Sequence, residues 1–462
     1  MRKANVYMNG VLSGLLQEQT GDQGGSYVFT YDEAYISSKG IPLSVTMPLK
    51  SIPYNSKLLH SFFNGLIPEG WLLNLAARKF GIQTKDRMGL LLSLCENNIG
   101  AAEIRSEDTL KLSAITSLEG AQIYSLPDDN ESRDVPLHTI CLGCLLPLAM
   151  PGQNRNYHEK CSNDLFTRDR APLLKLSSDA FETAAADNLA HKLSLTGVQA
   201  KFSAKIRYDL DQNATPRTIA LSPEYIFKPE PIHSGKNAFD YRGLSKLELF
   251  SLILASRLGL PTAKSGLLYM EGGHPVFVTR RFDRTAEGKL HAEDFAQILD
   301  RSYGDDKYTG SIEHIMNAIS QYSHRYRARS LENLFKITIF NFLIGNADNH
   351  NKNFSLIIAT DRTKSVECAV SPFYDILPTV LFTTDDDQET ALTIAGKHKK
   401  LTRKHFLQLA DRVSKGEGIL QKFLEDFKNQ REFIQGALDG LLLTKEKKLA
   451  MIALIDERLS RF

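Results

Sequence analysis

The sequence reads Gly345-Asn346-Ala347-Asp348-Asn349-His350-Asn351-Lys352-Asn353 in one segment and Phe373-Tyr374-Asp375 in another shortly after it. Asp348 and Asn353 have the spacing Asp-x-x-x-x-Asn, and Asp375 adds a second carboxylate. A carboxylate, an amide oxygen and a further carboxylate can together hold a divalent cation beside a proton acceptor. These two segments therefore decide how the rest of the chain is interpreted.

The spacing matches the catalytic loop of kinases, where the aspartate accepts the proton of the attacking hydroxyl and the asparagine holds a metal ion. Asp348 is the candidate base, and Asn353 and Asp375 are the candidate ligands of Mg²⁺. Lys352 and His350 lie in the same loop and could face the phosphates of ATP. Taken alone, an Asn/Asp-rich turn is more often a solvated loop, because these side chains form Asx turns.

Two residues earlier in the chain fit the same chemistry. Lys228 ends an apolar segment, so it is a candidate for a strand-borne lysine that reaches the phosphates from the other lobe. Glu248 follows in an apolar helix and could orient this lysine. Each residue alone is more often a surface charge. Their occurrence in this order, together with the loop, favours phosphoryl transfer.

Composition sets the outer limits. The chain has 462 residues, 42% of them hydrophobic, and a formal net charge of +2. This balance gives no indication that the whole protein is attracted to nucleic acid or membrane. No apolar run reaches about 18 residues, so we expect no membrane span. Five cysteines are too few for a disulfide scaffold of this size. We expect two or three domains and a cytoplasmic location.

Local patterns predict an α+β fold in which a β-rich portion precedes a helix-rich one. Alternating and β-branched segments predict strands near 4–12, 27–31, 43–47, 201–208, 224–228, 266–270 and 275–279. Apolar periodicity and capping signals predict helices near 70–80, 86–95, 178–193, 247–258, 404–413, 417–438 and 444–460. From about residue 310 onward the pattern is mostly helical. Residues 106–140 are polar and are interpreted as a connection.

Several segments resemble the HipA-like toxin kinases, the serine/threonine kinases of type II toxin–antitoxin modules, over nearly the whole chain. Residues 346–355 resemble the catalytic motif of that family, and residues 373–376 its metal-aspartate motif. Residues 278–284 and 293–297 resemble its strand-and-hinge segment. Near the front, residues 62–70 resemble its small N-terminal subdomain.

The resemblance implies a bilobed protein-kinase-like fold, with a mixed β-rich N-lobe and an all-α C-lobe, preceded by a small α+β N-terminal subdomain. It divides the chain into residues 1–105 for the subdomain, 106–140 for the connection, 141–310 for the N-lobe and 311–462 for the C-lobe. It also implies ATP and Mg²⁺ as cofactors. Besides Lys228, it assigns ATP contacts to Gln199, Glu293 and Phe295, with backbone groups near Glu293 and Phe295 at the adenine.

The resemblance extends to the phosphate loop. The chain has no Gly-x-Gly-x-x-Gly motif, and residues 194–201 resemble the flexible loop of the family instead. In that family the serine that matches Ser194 is autophosphorylated, which inactivates the kinase, and Thr196 is a candidate second site. The alternative is that Ser194 merely caps or turns the chain before a strand.

Four residues have the spacing of zinc ligands, as a pair, a loop and a second pair. They are Cys141, Cys144, His158 and Cys161. Thiolates and imidazole suit tetrahedral Zn²⁺, so a structural zinc ion is one interpretation. The other is a hairpin with unligated thiols and an exposed histidine. The solitary residues Cys95 and Cys368 are expected to be buried packing residues.

Two classes of function follow. The first is an active protein kinase toxin that phosphorylates a translation factor such as an aminoacyl-tRNA synthetase, paired with a helix-turn-helix antitoxin through which it reaches DNA indirectly. The second is a pseudokinase that acts as a co-repressor with such an antitoxin. A small-molecule or lipid kinase would use the same loop. Residues 1–105 could regulate the kinase in cis or simply pack against it.

Overall fold

The computed structural model describes residues 2–19, 25–96, 98–106, 124–125, 135–151, 155–172, 174, 201–207, 218–231, 240–360, 365–383 and 388–462. The predicted helix near 178–193 lies outside these residues. So do Ser194, Thr196 and Gln199.

The N-terminal domain is an antiparallel sheet covered by short helices. Its strands lie in the order β4-β3-β2-β1-β5. They are β1 (Lys3–Met8), β2 (Val11–Gln19), β3 (Ser26–Tyr31), β4 (Tyr54–Ser56) and β5 (Ala102–Ser106). The helices are α1 (Glu33–Ser37), α2 (Ser61–Gly65), α3 (Gly70–Phe80) and α4 (Arg87–Leu94). One face of the sheet and the helices enclose a separate apolar core that includes Phe29, Phe62, Phe63 and Leu91.

The strand predicted near 43–47 is absent. Residues 43–47 form a tight turn, closed by an isolated bridge between Ser44 and Met47. Two of the apolar side chains that suggested a strand are buried for another reason. Leu43 and Met47 pack into the core of the domain.

The second sheet forms the β-rich lobe and runs in the order β6-β8-β10-β9, with β7 also paired to β8. Its strands are β6 (Tyr124–Ser125), β7 (Phe202–Arg207), β8 (Thr218–Pro229), β9 (Ser265–Tyr269) and β10 (Pro275–Arg280). Helix α5 (Glu159–Phe166) lies between β6 and β7 in the chain, and helix α6 (Leu244–Arg257) contacts β9 and β10. Helix α6 ends before Gly259, which has a left-handed φ of 78°.

A short hairpin and a small sheet continue the chain towards the second lobe. The hairpin consists of β11 (Arg284–Thr285) and β12 (Gly288–Lys289). Strand β13 (His291–Asp294) pairs with β14 (Ser355–Thr360), which pairs with β15 (Val366–Val370). Helix α7 (Phe295–Ile298) follows β13 directly and begins with a capping box formed by Asp294 and Gln297.

Helices dominate the C-terminal lobe. They are α8 (Ile312–Tyr322), α9 (Arg327–Ile344), α10 (Arg403–Ala410), α11 (Gly416–Lys428), α12 (Arg431–Gly440) and α13 (Lys445–Leu459). Helix α9 is the central one, because most of its residues from Leu331 onward are buried and it contacts α8, α10, α11 and α13. One apolar core runs without interruption from the second sheet through this lobe.

The α+β prediction is confirmed, with one correction to its detail. The C-terminal lobe is not all helical, since β14 and β15 lie within it and pair with β13 from the preceding lobe. Apolar periodicity predicts the surrounding helices well, but it does not predict these two short strands, which interrupt the helical part of the chain. Across the described residues, no helix is both long enough and apolar enough to cross a bilayer.

Candidate active site

The loop after helix α9 is held rigidly. Gly345 ends the helix with a left-handed φ of 75°, and a Cβ atom there would lie 2.5 Å from the side chain of Val380. The Asn346 N–H donates to the carbonyl of Asn341 at 2.8 Å, and the Ala347 N–H donates to Oγ1 of Thr379 at 2.8 Å. The backbone that presents Asp348 is thus fixed from both sides.

A one-turn 3-10 segment, Asn351–Asn353, follows Asp348 and brings Asn353 back towards it. The Nδ2 group of Asn353 donates to the backbone carbonyl of Asp348 at 3.0 Å. That bond orients the amide and leaves its oxygen as the atom free to serve a cation. Asn351 anchors the turn, because its Nδ2 group donates to the carbonyls of Lys307 and Thr309 at 2.8 and 2.9 Å.

Lys228, on β8, lies between two carboxylates. Its Nζ atom is 2.7 Å from Oε1 of Glu248 on α6 and 2.6 Å from Oδ1 of Asp375. Burial alone would lower the pKa of Lys228, but Asp375 and Glu248 raise it above its ordinary value. Lys228 is therefore a permanent cation, and the structure brings together three residues that are far apart in sequence.

Asp375 has a strained backbone and an accessible carboxylate. Its φ of 57° is unusual for a residue other than glycine, which is a feature of functional sites. Its side chain is 32% exposed, whereas those of Lys228 and Glu248 are 7% and 1% exposed. Burial acts to raise the pKa of Asp375, but Lys228 and then Lys201 lower it overall. An ionised, reachable carboxylate of this kind suits a hard cation.

Lys201 belongs to the same cluster, although the sequence reasoning gave it no role. It is buried, and its pKa is lowered to about 8 by burial and then by Lys228. It stands at the end of the segment that resembles the phosphate loop. Only that resemblance could have predicted a role for Lys201, because a single lysine before a strand does not by itself indicate a functional site.

The N-terminal domain contributes a carboxylate to the catalytic loop. Glu69, which precedes helix α3, lies 2.7 Å from Nζ of Lys352 and 2.9 Å from Nζ of Lys307. Lys352 and Lys307 are 6% and 5% exposed. Burial acts to raise the pKa of Glu69, but Lys352 and Lys307 lower it overall, so the carboxylate is ionised. Lys352 is therefore ion-paired across the domain boundary.

His350 and Tyr308 cover the far side of the loop. Their rings meet edge to face with centroids 5.1 Å apart, and Tyr308 hydrogen-bonds the carboxylate of Asp348. The pKa of His350 is lowered to about 4, first by burial and then by the charge of Lys307. The imidazole is neutral at physiological pH, so His350 brings a ring rather than a positive charge to the site.

The segment expected at the adenine is tied to other parts of the protein. Oε1 and Oε2 of Glu293 accept hydrogen bonds from Oγ of Ser44 at 2.5 Å and from the N–H of Val45 at 3.0 Å. The N–H of Phe295 donates to the carbonyl of Phe354 at 3.0 Å. The side chain of Glu293 thus serves the contact with the N-terminal domain.

Sequence reasoning missed Glu69, Lys307 and Tyr308. Glu69 lies in a segment singled out for its resemblance, but its contact with Lys352 spans the two domains and leaves no local pattern. The four Cys/His residues are brought together, and they are the group of metal-ligating side chains found among the described residues. Cys95 and Cys368 are buried, as expected.

Comparison with known proteins decides the family. A model of the HipA-like C-terminal domain matches residues 193–432, and a model of the HipA N-terminal domain matches residues 4–105. The chain belongs to the HipA-like family. Both the loop that carries Asp348 and the cluster around Lys228 fall within the first match.

Several relatives of this HipA-like chain carry kinase descriptions. "Putative kinase Y4mE" of Sinorhizobium fredii is 27% identical over 83% of this chain and 78% of its own length. A "Putative kinase" of Haemophilus influenzae is 25% identical over 57% of this chain and 83% of its own length. A 36% identical Haemophilus influenzae protein without a described function matches 23% of this chain and 94% of its own.

A solved structure confirms the kinase-like fold that the resemblance predicted. It is the HipA protein of Shewanella oneidensis MR-1, described in complex with HipB and operator DNA. The two chains superpose with a TM-score of 0.61 over 99% of this chain and 96% of the other, at 17% identity. At that identity the likeness establishes the fold alone.

Proposed function

We propose that this protein is an ATP-dependent serine/threonine protein kinase. One observation carries the proposal: Lys228 pairs with both Glu248 and Asp375, and the hydroxyl of Tyr374, the residue before Asp375, donates to the carbonyl of Lys352 in the Asp348–Asn353 loop. This arrangement provides a phosphate-binding cation, its orienting carboxylate, a metal-binding carboxylate and a base. In a purely structural ion-pair network the carboxylate of Asp375 would not need to be accessible, yet its side chain is 32% exposed.

The residues present suit ATP and Mg²⁺. The amide oxygen of Asn353 and the carboxylate of Asp375 are hard oxygen donors, which Mg²⁺ prefers to nitrogen or sulfur. Bound Mg²⁺ would neutralise charge on the phosphates of ATP. Lys228 is already protonated and would contact those phosphates without an energetic cost for ionisation. Glu248 keeps the ammonium of Lys228 in place.

Asp348 is the proposed base for the acceptor hydroxyl. Tyr308 hydrogen-bonds its carboxylate, and the turn at Asn353 fixes its backbone. Asp348 would orient the hydroxyl of a serine or threonine and take its proton as the oxygen attacks the γ-phosphorus. The proton moves to Asp348, and the leaving group is ADP. Lys352 would contact the phosphates of ATP either after it separates from Glu69 or while it binds Glu69 and a phosphate together.

Autophosphorylation on Ser194, with Thr196 as a second acceptor, is proposed on the family resemblance. The described end of that segment supports it, because Lys201 is buried and lies near enough to Lys228 and Asp375 for their charges to affect its pKa. Phosphate on Ser194 would add up to two negative charges and compete with ATP for the cations of the cleft.

We further propose that the kinase is the toxin of a type II toxin–antitoxin module. The family resemblance implies an aminoacyl-tRNA synthetase as substrate and a helix-turn-helix antitoxin as partner. The Shewanella oneidensis HipA structure, described with HipB and operator DNA, supports that partner class. Contact with DNA would then come only through the antitoxin, in keeping with a net charge of +2.

The proposal is tested with the purified full-length protein, γ-labelled ATP, Mg²⁺ and a bacterial extract. We expect labelled protein bands and a phosphorylated peptide that contains Ser194 or Thr196. Asp348→Asn should abolish both signals, and Asp456→Asn, on the exposed face of α13, should preserve them. Label in a soluble metabolite or lipid would instead indicate a small-molecule kinase. No label in any fraction, with ATP bound, would favour the co-repressor.

A further inference from the structure

The segment that joins the polar connection to the β-rich lobe contains four converging metal ligands. The Sγ atoms of Cys141, Cys144 and Cys161 and a ring nitrogen of His158 all lie within 4.8 Å of one another. A tetrahedral zinc ion with Zn–S bonds near 2.3 Å would set its sulfur atoms roughly 3.8 Å apart. The four side chains already approach that arrangement, and all three cysteines are free thiols.

We propose that these four residues bind one structural zinc ion. Three thiolates and one imidazole form an accepted closed set for Zn²⁺, with no position left for a substrate. Soft sulfur ligands exclude Mg²⁺ and Ca²⁺. The site is independent of the phosphoryl-transfer residues, none of which contributes a ligand.

The backbone around Cys141 is shaped to hold a thiolate. The Sγ atom of Cys141 accepts N–H groups from His158 at 3.2 Å and from Gly143 at 3.4 Å. The Leu145 N–H bonds to the carbonyl of Cys141 at 2.7 Å, and Leu145 has a left-handed φ of 59°. This turn directs the Sγ atoms of Cys141 and Cys144 towards the same point. A thiolate is stabilised by such donors, whereas a neutral thiol has little need of them.

His158 is held in the orientation that a ligand needs. Its Nε2 atom is 3.0 Å from the carbonyl of Pro147, so Nε2 carries the proton and Nδ1 is left as the basic atom. Nδ1 faces Cys144 at 3.3 Å and Cys161 at 3.9 Å. A carbonyl that fixes the tautomer of a histidine is the usual outer partner of a zinc ligand.

The absence of a side chain at Gly143 allows the turn that carries Cys141 and Cys144 to lie close to Cys161. A Cβ atom on Gly143 would lie 2.9 Å from Cβ of Cys161 and 3.2 Å from the ring of Tyr157. Glycine is therefore required between Cys141 and Cys144. Helix α5 begins directly after His158 and presents Cys161 from its first turn.

The position of the cluster indicates what the metal does. Tyr157, next to His158, is fully buried and donates to the carbonyl of Leu267 at 2.7 Å, on the edge strand β9. His138, just before Cys141, bonds to the hydroxyl of Tyr269 at 2.6 Å and to the carbonyl of Gly440 at 2.9 Å. Residues next to the cluster thus bond to an edge strand of one lobe and to helix α12 of the other, so a bound metal would stabilise the junction of these two elements.

The test measures metal in the full-length protein purified without added zinc. We expect about one zinc ion per chain, and cobalt substitution should give the strong visible bands of a tetrahedral thiolate site. Cys144→Ser should lose most of the metal and lower Tm, whereas Cys368→Ser, which changes a solitary buried thiol, should keep the metal.

A second readout does not depend on how the variants fold. Native wild-type protein should react slowly with a thiol reagent at Cys141, Cys144 and Cys161, and mercurial treatment should release zinc as these thiols become reactive. The proposal is overturned by metal-free folded protein with three reactive thiols, by a disulfide within the cluster, or by iron in place of zinc.

Discussion

At the scale of single residues, the chemistry depends on buried charges that are paired before any ligand binds. Lys228, Glu248 and Asp375 come from a strand, a helix and a loop, and each reduces the cost of burying the others. Two carboxylates share one ammonium, so the loss of Lys228 leaves two neighbouring carboxylates without a cation, whereas the loss of either carboxylate leaves Lys228 with a single partner. The residues of the Asp348 loop differ, because their backbone rather than their charge is fixed.

Asp348→Asn tests the proposed base directly. The amide has the same shape but cannot accept the proton, so we expect kcat to fall by about 10²- to 10⁴-fold. Tm should stay within about 2 °C of wild type, because the change is nearly isosteric. Phosphate transfer to a protein acceptor and thermal melting are the measurements. A variant that keeps a tenth of wild-type kcat would show that Asp348 is not the base.

Glu248→Gln tests the buried pair. The change leaves Lys228 paired with Asp375 alone and removes one charge-assisted contact, so we expect a loss of about 1.5–3 kcal/mol of unfolding free energy. We also expect a higher KM for ATP, because the ammonium of Lys228 is no longer held in place. Glu332→Gln is the control: its partner Lys336 lies one turn away on the partly exposed side of α9. That change should cost less than about 1 kcal/mol.

At the scale of elements, local patterns identified most helices and strands, and the exceptions have physical causes. The segment predicted as one helix near 417–438 is two helices, α11 and α12, which separate at Asn429 and Gln430. No proline or glycine marks this break. Packing causes it, since α11 contacts α10 and α9 whereas α12 contacts α6 and α13.

Gly100 provides a matched test of how the N-terminal domain meets β13. Its φ is 79°, and a Cβ atom there would lie 2.9 Å from backbone atoms of Ala292. Gly10 has nearly the same φ, 77°, but nothing lies within 4 Å of its added Cβ. Both changes to alanine carry a similar cost in backbone strain, about 1 kcal/mol.

Gly100→Ala should therefore destabilise the protein by roughly 2 kcal/mol more than Gly10→Ala, because only the former overpacks an interface. Chemical denaturation of the two variants measures this difference. Limited proteolysis should also release the N-terminal domain faster from Gly100→Ala. Equal unfolding free energies would mean that the contact with Ala292 can relax at no cost.

At the scale of the whole molecule, the N-terminal domain is bonded to the segment that links the two lobes. The carbonyl of Phe62 accepts from Gln297, and Nδ2 of Asn64 donates to the carbonyl of Ser302, both at 2.7 Å. The carboxylate of Asp283 accepts from the N–H of Gly100 at 2.8 Å. Together with the contacts of Glu69, these bonds make the domain part of the cleft.

Glu293 makes this docking sensitive to pH. Burial raises its pKa to about 8, although its hydrogen bonds with Ser44 and Val45 act in the opposite direction. Between pH 4.5 and 8 the folded protein keeps a proton that the unfolded chain has released, so stability falls as the pH rises through this window. Glu293→Gln removes the ionisation and should flatten that fall, by about 5 kcal/mol across the window at about 1.4 kcal/mol per pKa unit.

The measurement is the unfolding free energy of both proteins from pH 5 to pH 9. All other titrating groups are shared, so the difference between the two curves isolates Glu293. Parallel curves would mean that Glu293 is ionised in the folded protein and that its hydrogen bonds outweigh its burial.

Glu69→Gln tests the contact between the domain and the catalytic loop. The change releases Lys352 and Lys307 from a carboxylate that also repels phosphates. We expect KM for ATP to fall roughly three- to tenfold, which corresponds to about 1 kcal/mol. Glu103→Gln is the control, because it breaks a pair with Lys289 at the same domain boundary without a contact to the loop. A higher KM would show that Glu69 positions Lys352 for ATP.

The α+β class, most of the elements and the residues of the Asp348 loop follow from local features of the sequence. Periodicity, capping and a motif such as Asp348 to Asn353 are local, and each is set by neighbours within a few residues. The spacing typical of zinc ligands at residues 141–161 is also a local pattern, and the structure brings its four side chains together.

The pairing of distant charges, by contrast, is known only from the folded protein. Glu69 and Lys352 lie in different domains, and nothing near either residue indicates the other. The same holds for Ser44 and Glu293, which hydrogen-bond across the same domain boundary. The packing of the two separate apolar cores determines which of these residues come into contact. A charge buried in an interface needs an opposite charge or a hydrogen-bond partner. That partner is distant in the sequence, so only the folded structure identifies it.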